Sequence, residues 1–255
     1  MRTETPEFEV AATALPGRVM KINRYDAVKP VVEFTLALII LLLSAPVVFA
    51  AIVLVKLSSR GPAIYTQKRL GRGGKIFTIY KLRTMYLDSE RHSGPTWSVP
   101  GDPRVTAIGR ILRWCHVDEL PQAINILQGE MSLVGPRPER PEIAVNLEDE
   151  LAGYRLRLAV RPGLTGLAQV QLPPDTSLAS VRRKLNYDLL YIERMSPWLD
   201  LRLIIGTALK CLGVPFVGIG WILQLPDPDV QHGHDSVARA PEMTTKTLVS
   251  DSYVM

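Results

Sequence analysis

Phe34–Val55 reads FTLALIILLLSAPVVFAAIVLV, 22 residues without a charge. At about 1.5 Å per residue a straight helix of that length measures roughly 33 Å, enough to cross the hydrocarbon core of a bilayer. Pro46, near the middle, removes a helix hydrogen bond and crowds the preceding turn. A bend is therefore expected there, with Ser44 able to take up a freed carbonyl. Arg18, Lys21, Arg24 and Lys29 precede the run, and Lys56, Arg60, Lys68, Arg69, Arg72, Lys75, Lys81 and Arg83 follow it, with no acidic residue between Phe34 and Leu87. Positive charge at both ends favours the cytoplasmic side for both, which a re-entrant helix satisfies and a single span does not. On these features a proline-kinked span and a re-entrant helix stay equally open. A cleaved signal peptide fits neither the late start of the run nor its continuation past Ala50.

Working outward, the chain of 255 residues, 47% hydrophobic and 7% aromatic, has length for one sizeable domain beside the apolar segment. The net charge of +5 matters through its placement behind that segment, where it suits anionic lipid and phosphate. Nucleic acid is not expected, since the basic stretch carries only Tyr65, Phe77 and Tyr80 as aromatics and no nucleic-acid module. Cys115 and Cys211 form no disulfide framework and are expected reduced. Ala63–Leu70 and Ile76–Leu82 flank Gly71-Arg72-Gly73-Gly74 and predict a hairpin; the glycines lack the spacing of a phosphate loop. Helices are expected from Asp102-Pro103 to about Arg113, from near Asp118 or Glu119 to Gly129, and from Pro141 to about Val160, closed by an Arg161-Pro162-Gly163 turn. Leu185, Leu189 and Ile192 mark a further amphipathic helix. Trp198–Leu225 is apolar apart from Arg202 and Lys210, and Pro215 with glycines 213, 218 and 220 argues against an uninterrupted span.

Chemistry concentrates between Lys81 and Arg137. Asp118-Glu119 sets two carboxylates at an expected helix start, with Pro121 tolerated in the first turn. Taken alone, such a pair is an N-cap and a first-turn acid. A helix start also favours anions, and a carboxylate can attack phosphorus once a divalent cation and basic side chains screen the repulsion. Arg113 lies five residues upstream. Arg137 sits between prolines in Gly135-Pro136-Arg137-Pro138, whose fixed φ stiffens the backbone under a bidentate phosphate binder.

The strings YKLRTM (80–85), DPRVTAIGRILR (102–113), VDELPQAINILQGEMSLVGPRPERP (117–141), RPGLTGLAQV (161–170) and KLNYDLLYIERMSPWLDLRLIIGT (184–207) resemble the bacterial sugar transferase family, the small monotopic phosphoglycosyl transferases. The likeness covers roughly residues 29 to 210, with the motifs in family order. It implies an enzyme that moves a sugar phosphate from a UDP-sugar to polyprenyl phosphate and begins exopolysaccharide or related glycan assembly. By this resemblance Asp118 is the nucleophile that releases UMP and holds a covalent sugar phosphate, and Glu119 is its partner carboxylate. Lys81, Arg113 and Arg137 meet the diphosphate, and Mg²⁺ is held at Asp118 and Glu119. It further implies a membrane helix broken at Ser44 and Pro46, both termini cytoplasmic, and a catalytic domain resting on the inner membrane lipid, with self-association compatible.

The expected fold is therefore α+β and mostly helical. A mobile extension covers 1–28, a re-entrant helix 29–58, a catalytic domain with a small β-hairpin and interfacial helices 59–225, and a disordered tail 226–255. Departures from the family pattern are Glu33 where Asp is usual, Ala45 inserted between Ser44 and Pro46, and Trp114-Cys115-His116 ahead of the dyad. Cys115 has no Cys-His-Asn setting and is read as packing, while His116 is placed to tune the pH profile. A catalytically silent membrane scaffold, with the carboxylates acting only as caps, is the competing reading; the joint presence of Lys81, Arg113, Asp118, Glu119 and Arg137 argues against it. A metal-dependent phosphatase would share the aspartate nucleophile but needs a second ligand cluster. The sequence names no sugar.

Overall fold

The computed structural model describes residues 25–87, 89, 101–175 and 177–231. Its first element, α1 (Tyr25–Ser58), runs as one helix through both Pro30 and Pro46. At 34 residues it is about 51 Å long, and it is the one helix among the described residues long and apolar enough to cross a membrane. Ser44 Oγ reaches the Leu41 carbonyl at 3.4 Å, not the Leu42 carbonyl that Pro46 leaves without its N–H. The expected repair is thus absent, because a serine two residues before the proline reaches back three positions from its own.

One stripe of α1 faces the rest of the chain. Asp26, Lys29, Glu33, Ala37, Ala51 and Val55 are buried, with Ile40, Ser44 and Val48 half-buried between them, a spacing of three and four that keeps one helical face inward. The outward face holds Val32, Phe34, Leu42, Leu43, Phe49 and Leu57, all exposed.

The hairpin forms as expected: β1 (Ile64–Leu70) pairs antiparallel with β2 (Ile76–Leu82), Tyr65 opposite Lys81. Gly73 and Gly74 take left-handed φ of 67° and 80° in the turn, as a tight reversal favours. Next, α2 (Ala107–Trp114) starts four residues later than expected, capped by Thr106, whose side chain accepts from Gly109 N at 2.9 Å. Asp102 instead folds on Arg104, accepting from its backbone N at 3.0 Å and from its guanidinium, and this local turn competes with a helix start. Gly109 lets α2 lie against the backbone at Thr84, where a Cβ would sit 2.0 Å from the carbonyl.

A 3₁₀ turn (Val117–Gln122) leads into α3 (Ala123–Leu127), and β3 (Ser132–Val134) follows. The long helix expected to Val160 is two pieces, α4 (Pro141–Glu150) and a 3₁₀ turn (Tyr154–Ala159). Gly153 at φ 79° breaks it, while Leu147, Leu151 and Tyr154 still point inward. Arg161-Pro162-Gly163 is not a simple turn either, since Gly163 opens β4 (Gly163–Thr165), parallel to β3. Helices α5 (Leu167–Gln171), α6 (Leu178–Arg194), α7 (Pro197–Cys211) and α8 (Phe216–Ile222) complete the core, and α9 (Pro228–Gln231) lies on α6. The apolar stretch after Trp198 is interrupted at Leu212–Pro215, with Gly213 at φ 84°. Of the stretch assigned from composition to the tail, Asp227 accepts from Tyr187 OH at 2.8 Å and Asp229 pairs with Arg183 at 2.7 Å; residues 232–255, like 1–24, lie outside the described residues.

The chain is α+β and mostly helical, with two small sheets and two apolar clusters among the described residues. The larger joins α4, α5, α6 and α7 with β3 and the hairpin; the smaller sets Ala51 and Val55 of α1 against Ala63, Leu82 and Leu112, with Val117 at its edge. Through Val117 that smaller cluster holds the start of the turn that carries Asp118 and Glu119.

Candidate active site

Asp118 and Glu119 follow Val117 at the start of the 3₁₀ turn, and the residue before the turn, His116, takes a left-handed φ of 55°, a conformation few side chains adopt. It reverses the chain between α2 and the turn, so the last turn of α2 and both carboxylates share one corner. Cys115, half-buried, folds its Sγ back to the Ile111 carbonyl of α2 at 3.1 Å.

Glu119 is the hub of the charge cluster. Its Oε1 accepts from Lys81 Nζ at 2.6 Å and from Arg137 Nη2 at 3.1 Å. The hairpin supplies Lys81 and the turn after β3 supplies Arg137, so three elements meet on one oxygen. Asp118 faces otherwise: its side chain is 7% exposed and its Oδ1 is buried without a hydrogen-bond partner. Arg113 Nε donates to Thr84 Oγ1 at 2.9 Å, and its charge, like those of Lys81 and Arg137, acts on Asp118.

The two carboxyls are pushed apart electrostatically. Burial, and then the negative charge of Glu119, raise Asp118 from 3.8 to about 6 despite the three cations. For Glu119 burial acts upward, but Lys81 and Arg137 outweigh it and hold the carboxyl well below the usual range. Burial lowers the Lys81 ammonium, with Glu119 opposing, and burial lowers His116 too. Adjacent carboxyls of opposite tendency are the pattern of an acid–base or nucleophile–partner pair.

All five residues singled out from sequence around the dyad therefore converge, while Ser44 and Pro46 sit apart on α1. The supporting side chains are less visible in sequence. Asn125, fully buried, donates to Thr78 O at 2.7 Å and accepts from Tyr80 N at 3.2 Å, which ties α3 to the strand carrying Lys81. Arg157, paired with Asp188 at 2.7 Å, donates to the Arg137 carbonyl at 2.9 Å. Gly135 and Gly163 approach so closely that a Cβ on Gly163 would sit 2.0 Å from Gly135 N, and Gly135 N donates to Thr165 O at 2.8 Å. A lone asparagine inside Ala123-Ile124-Asn125-Ile126-Leu127 was the available signal for the first; nothing local marks the pair Arg157–Asp188, 31 residues apart.

Among the described residues no group of three or more His, Cys, Asp or Glu is placed to hold a metal ion. Two carboxylates with one orphaned buried oxygen nonetheless suit a hard cation that takes its other ligands from phosphate oxygens and water.

Residues 24–213 match the family model described as bacterial sugar transferase. The chain is 39% identical over 191 residues, 75% of its length, to the UDP-N-acetylgalactosamine-undecaprenyl-phosphate N-acetylgalactosaminephosphotransferase of Aeromonas hydrophila, of which it spans 45%. It is 41% identical over 199 residues, 76% of its length, to the UDP-glucose:undecaprenyl-phosphate glucose-1-phosphate transferase of Caulobacter vibrioides, spanning 73% of that protein. To the exopolysaccharide production protein PSS of Rhizobium leguminosarum it is 40% identical over 175 residues, spanning 88% of that protein. The carboxylate corner, its basic ring and the elements that carry them all lie inside the matched segment, and the chain belongs to the bacterial sugar transferase family.

Proposed function

We propose that the chain transfers a sugar phosphate from a UDP-sugar to undecaprenyl or a similar polyprenyl phosphate, releasing UMP, and so starts a glycan such as an exopolysaccharide. The observation that carries this reading is the buried, uncommitted Asp118 beside Glu119, whose charge is already consumed by Lys81 and Arg137. One carboxyl is left to react while the other holds the cations that receive the diphosphate. The names of relatives that act on UDP-sugars and undecaprenyl phosphate support the substrate classes.

Asp118 Oδ attacks the β-phosphorus of the donor; a P–O bond to aspartate forms as the bond to UMP breaks, and UMP leaves with that electron pair. Arg137, half-exposed at the rim, and Lys81 and Arg113 within neutralise the charge gathered on phosphate oxygens. An oxygen of the acceptor phosphate then attacks the same phosphorus, the acyl phosphate bond breaks, and the Asp118 carboxylate is restored. Mg²⁺ bound at Asp118 and Glu119 would screen the carboxylates from the incoming diphosphate. Glu119 keeps Lys81 and Arg137 aligned throughout.

α1 supports a re-entrant placement. Its first turns are fixed to β3, α6 and α7 through Lys29 and Glu33, and its last turns to α2 and β2 through Ala51 and Val55. Both ends thus belong to one body, which would lie on the cytoplasmic face of the inner membrane with the outward leucines and phenylalanines of α1 in lipid. The test is direct: purified protein with Mg²⁺ and a panel of UDP-sugars releases UMP, and Asp118→Asn does not. A wild-type protein inert across the panel sinks the reading and leaves a scaffold role.

A further inference from the structure

Lys210 is the lysine of the apolar stretch after Trp198, and the fold gives it a defined position. It stands in the last turn of α7, where the helix dipole favours a cation. Its Nζ donates to the Gln169 carbonyl at 2.9 Å and lies 5.2 Å from the centre of the Phe216 ring. α5 and α8 therefore hold the ammonium from two sides, and among the described residues no carboxylate pairs with it. One turn earlier Thr207 shares a 2.6 Å hydrogen bond with Thr165, whose carbonyl secures Gly135 at the head of the Arg137 turn. This places Lys210 within electrostatic reach of Arg137 and Glu119. Beside it in the chain, Leu212, Val217 and Trp221 are 80%, 86% and 83% exposed. A half-buried cation thus stands on the seam between the carboxylate corner and an outward apolar surface.

A phosphate monoester on a long hydrocarbon chain has the complementary form, an anionic head with an apolar tail. We propose that Lys210 binds the phosphate of the lipid acceptor, leaving Lys81, Arg113 and Arg137 to the donor diphosphate. The inference rests on the transferase reading above and divides the cations between its two substrates. Lys210 makes and breaks no bond; it lowers the cost of bringing a second phosphate up to a site that already holds one. A lysine suits this task because its ammonium is a compact point charge with three donors, one of which Gln169 uses. A purely structural Lys210 would only tie α7 to α5, and a purely interfacial one would only hold bilayer headgroups.

The experiment separates the half-reactions in full-length protein held in nanodiscs. UMP release on mixing with UDP-sugar and Mg²⁺, without acceptor, reports the donor step; steady-state turnover against polyprenyl phosphate reports the acceptor step. For Lys210→Met the acceptor KM is expected to rise about tenfold or more, the usual worth of a charge-assisted hydrogen bond. The UMP burst stays within about threefold of wild type, and Lys210→Arg recovers most of the acceptor KM. An unmoved acceptor KM, an equal loss in both half-reactions, or a parallel loss of binding to vesicles free of polyprenyl phosphate each overturns the proposal. If Lys210→Met fails to fold, the same comparison is made between Lys210→Gln and Lys210→Arg. Wild-type protein that releases no UMP defeats the parent reading and this one together, whereas wild-type turnover with an unmoved variant defeats this one alone.

Discussion

Asp118 is held in a state its own solvation opposes, and that cost has a sign that can be measured. Its folded pKa of about 6 lies above the reference value of 3.8, so the folded state binds the proton more tightly. The associated stability is complete below about pH 4 and is lost as pH rises through about 6. Asp118→Asn removes the buried charge, and we expect it to abolish UMP release while stabilising the protein at pH 7 by about 1–3 kcal/mol. Thermal unfolding at pH 7 and pH 4 checks this, the gain vanishing at the lower pH. Activity runs the other way: the proposed nucleophile must be ionised to attack, so kcat/KM for UMP release is expected to fall as pH drops through about 6. In Glu119→Gln the like charge is gone, and residual activity should show that acidic limb displaced to lower pH. From residue types and spacing the dyad with Arg113 and Arg137 read only as an anion site at a helix start; the resemblance to the family added Lys81 and the roles. Which carboxylate would take the cations was not legible, since neighbours on a 3₁₀ turn point about 120° apart and only the tertiary fold decides which meets Lys81.

Among the elements, α1 is attached at its first turns by a charge cluster and at its last turns by the apolar contacts of Ala51 and Val55. Lys29 Nζ stands 2.9 Å from Asp200 and 3.7 Å from Glu33, and donates to Tyr191 OH and Val134 O at 2.6 Å each. Glu33 in turn accepts from Ser132 Oγ and Leu133 N, so glutamate serves where the family pattern has aspartate. Lys29→Met would leave two buried carboxylates facing each other, and we expect a loss of about 3–5 kcal/mol. Adding Asp200→Asn should return part of it, which denaturant titration in detergent can follow. The hairpin was legible because its glycine turn and β-prone flanks agree, and α6 because its periodicity is long. The split of the Pro141–Val160 helix at Gly153 was not, since the apolar spacing of Leu147, Leu151 and Tyr154 persists across the break. The β3–β4 pair, three residues a strand and parallel, carries no local pattern and exists because Gly135 and Gly163 permit the backbones to touch.

At the scale of the whole molecule, the outward leucines and phenylalanines of α1 form an apolar face that the proposed placement sets in lipid, and the two ends of that helix are fixed to one globular body. A helix crossing the bilayer would place Lys29 and Val55 on opposite sides, and then either the Lys29–Asp200 pair or the Val55–Leu82–Leu112 cluster would have to come apart. Breaking the first leaves unpaired charges and breaking the second exposes a packed cluster, so each costs several kcal/mol. The proposed placement in one leaflet keeps both, and Trp114 and Trp221, exposed on α2 and α8, are of the residue type that the membrane interface favours. Cysteines introduced singly before residue 30 and after residue 60, in a background with Cys115 and Cys211 replaced by serine, should both react with a membrane-impermeant maleimide only when the cytoplasmic side is open. Labelling of the first from the periplasm in intact cells would mean that α1 spans, and that the Lys29–Asp200 attachment is not kept in the membrane. With both sites cytoplasmic, Trp114 and Trp221 should be quenched by lipids brominated near the headgroup more than by lipids brominated at the chain end, because a helix confined to one leaflet brings the body down to the surface and no further.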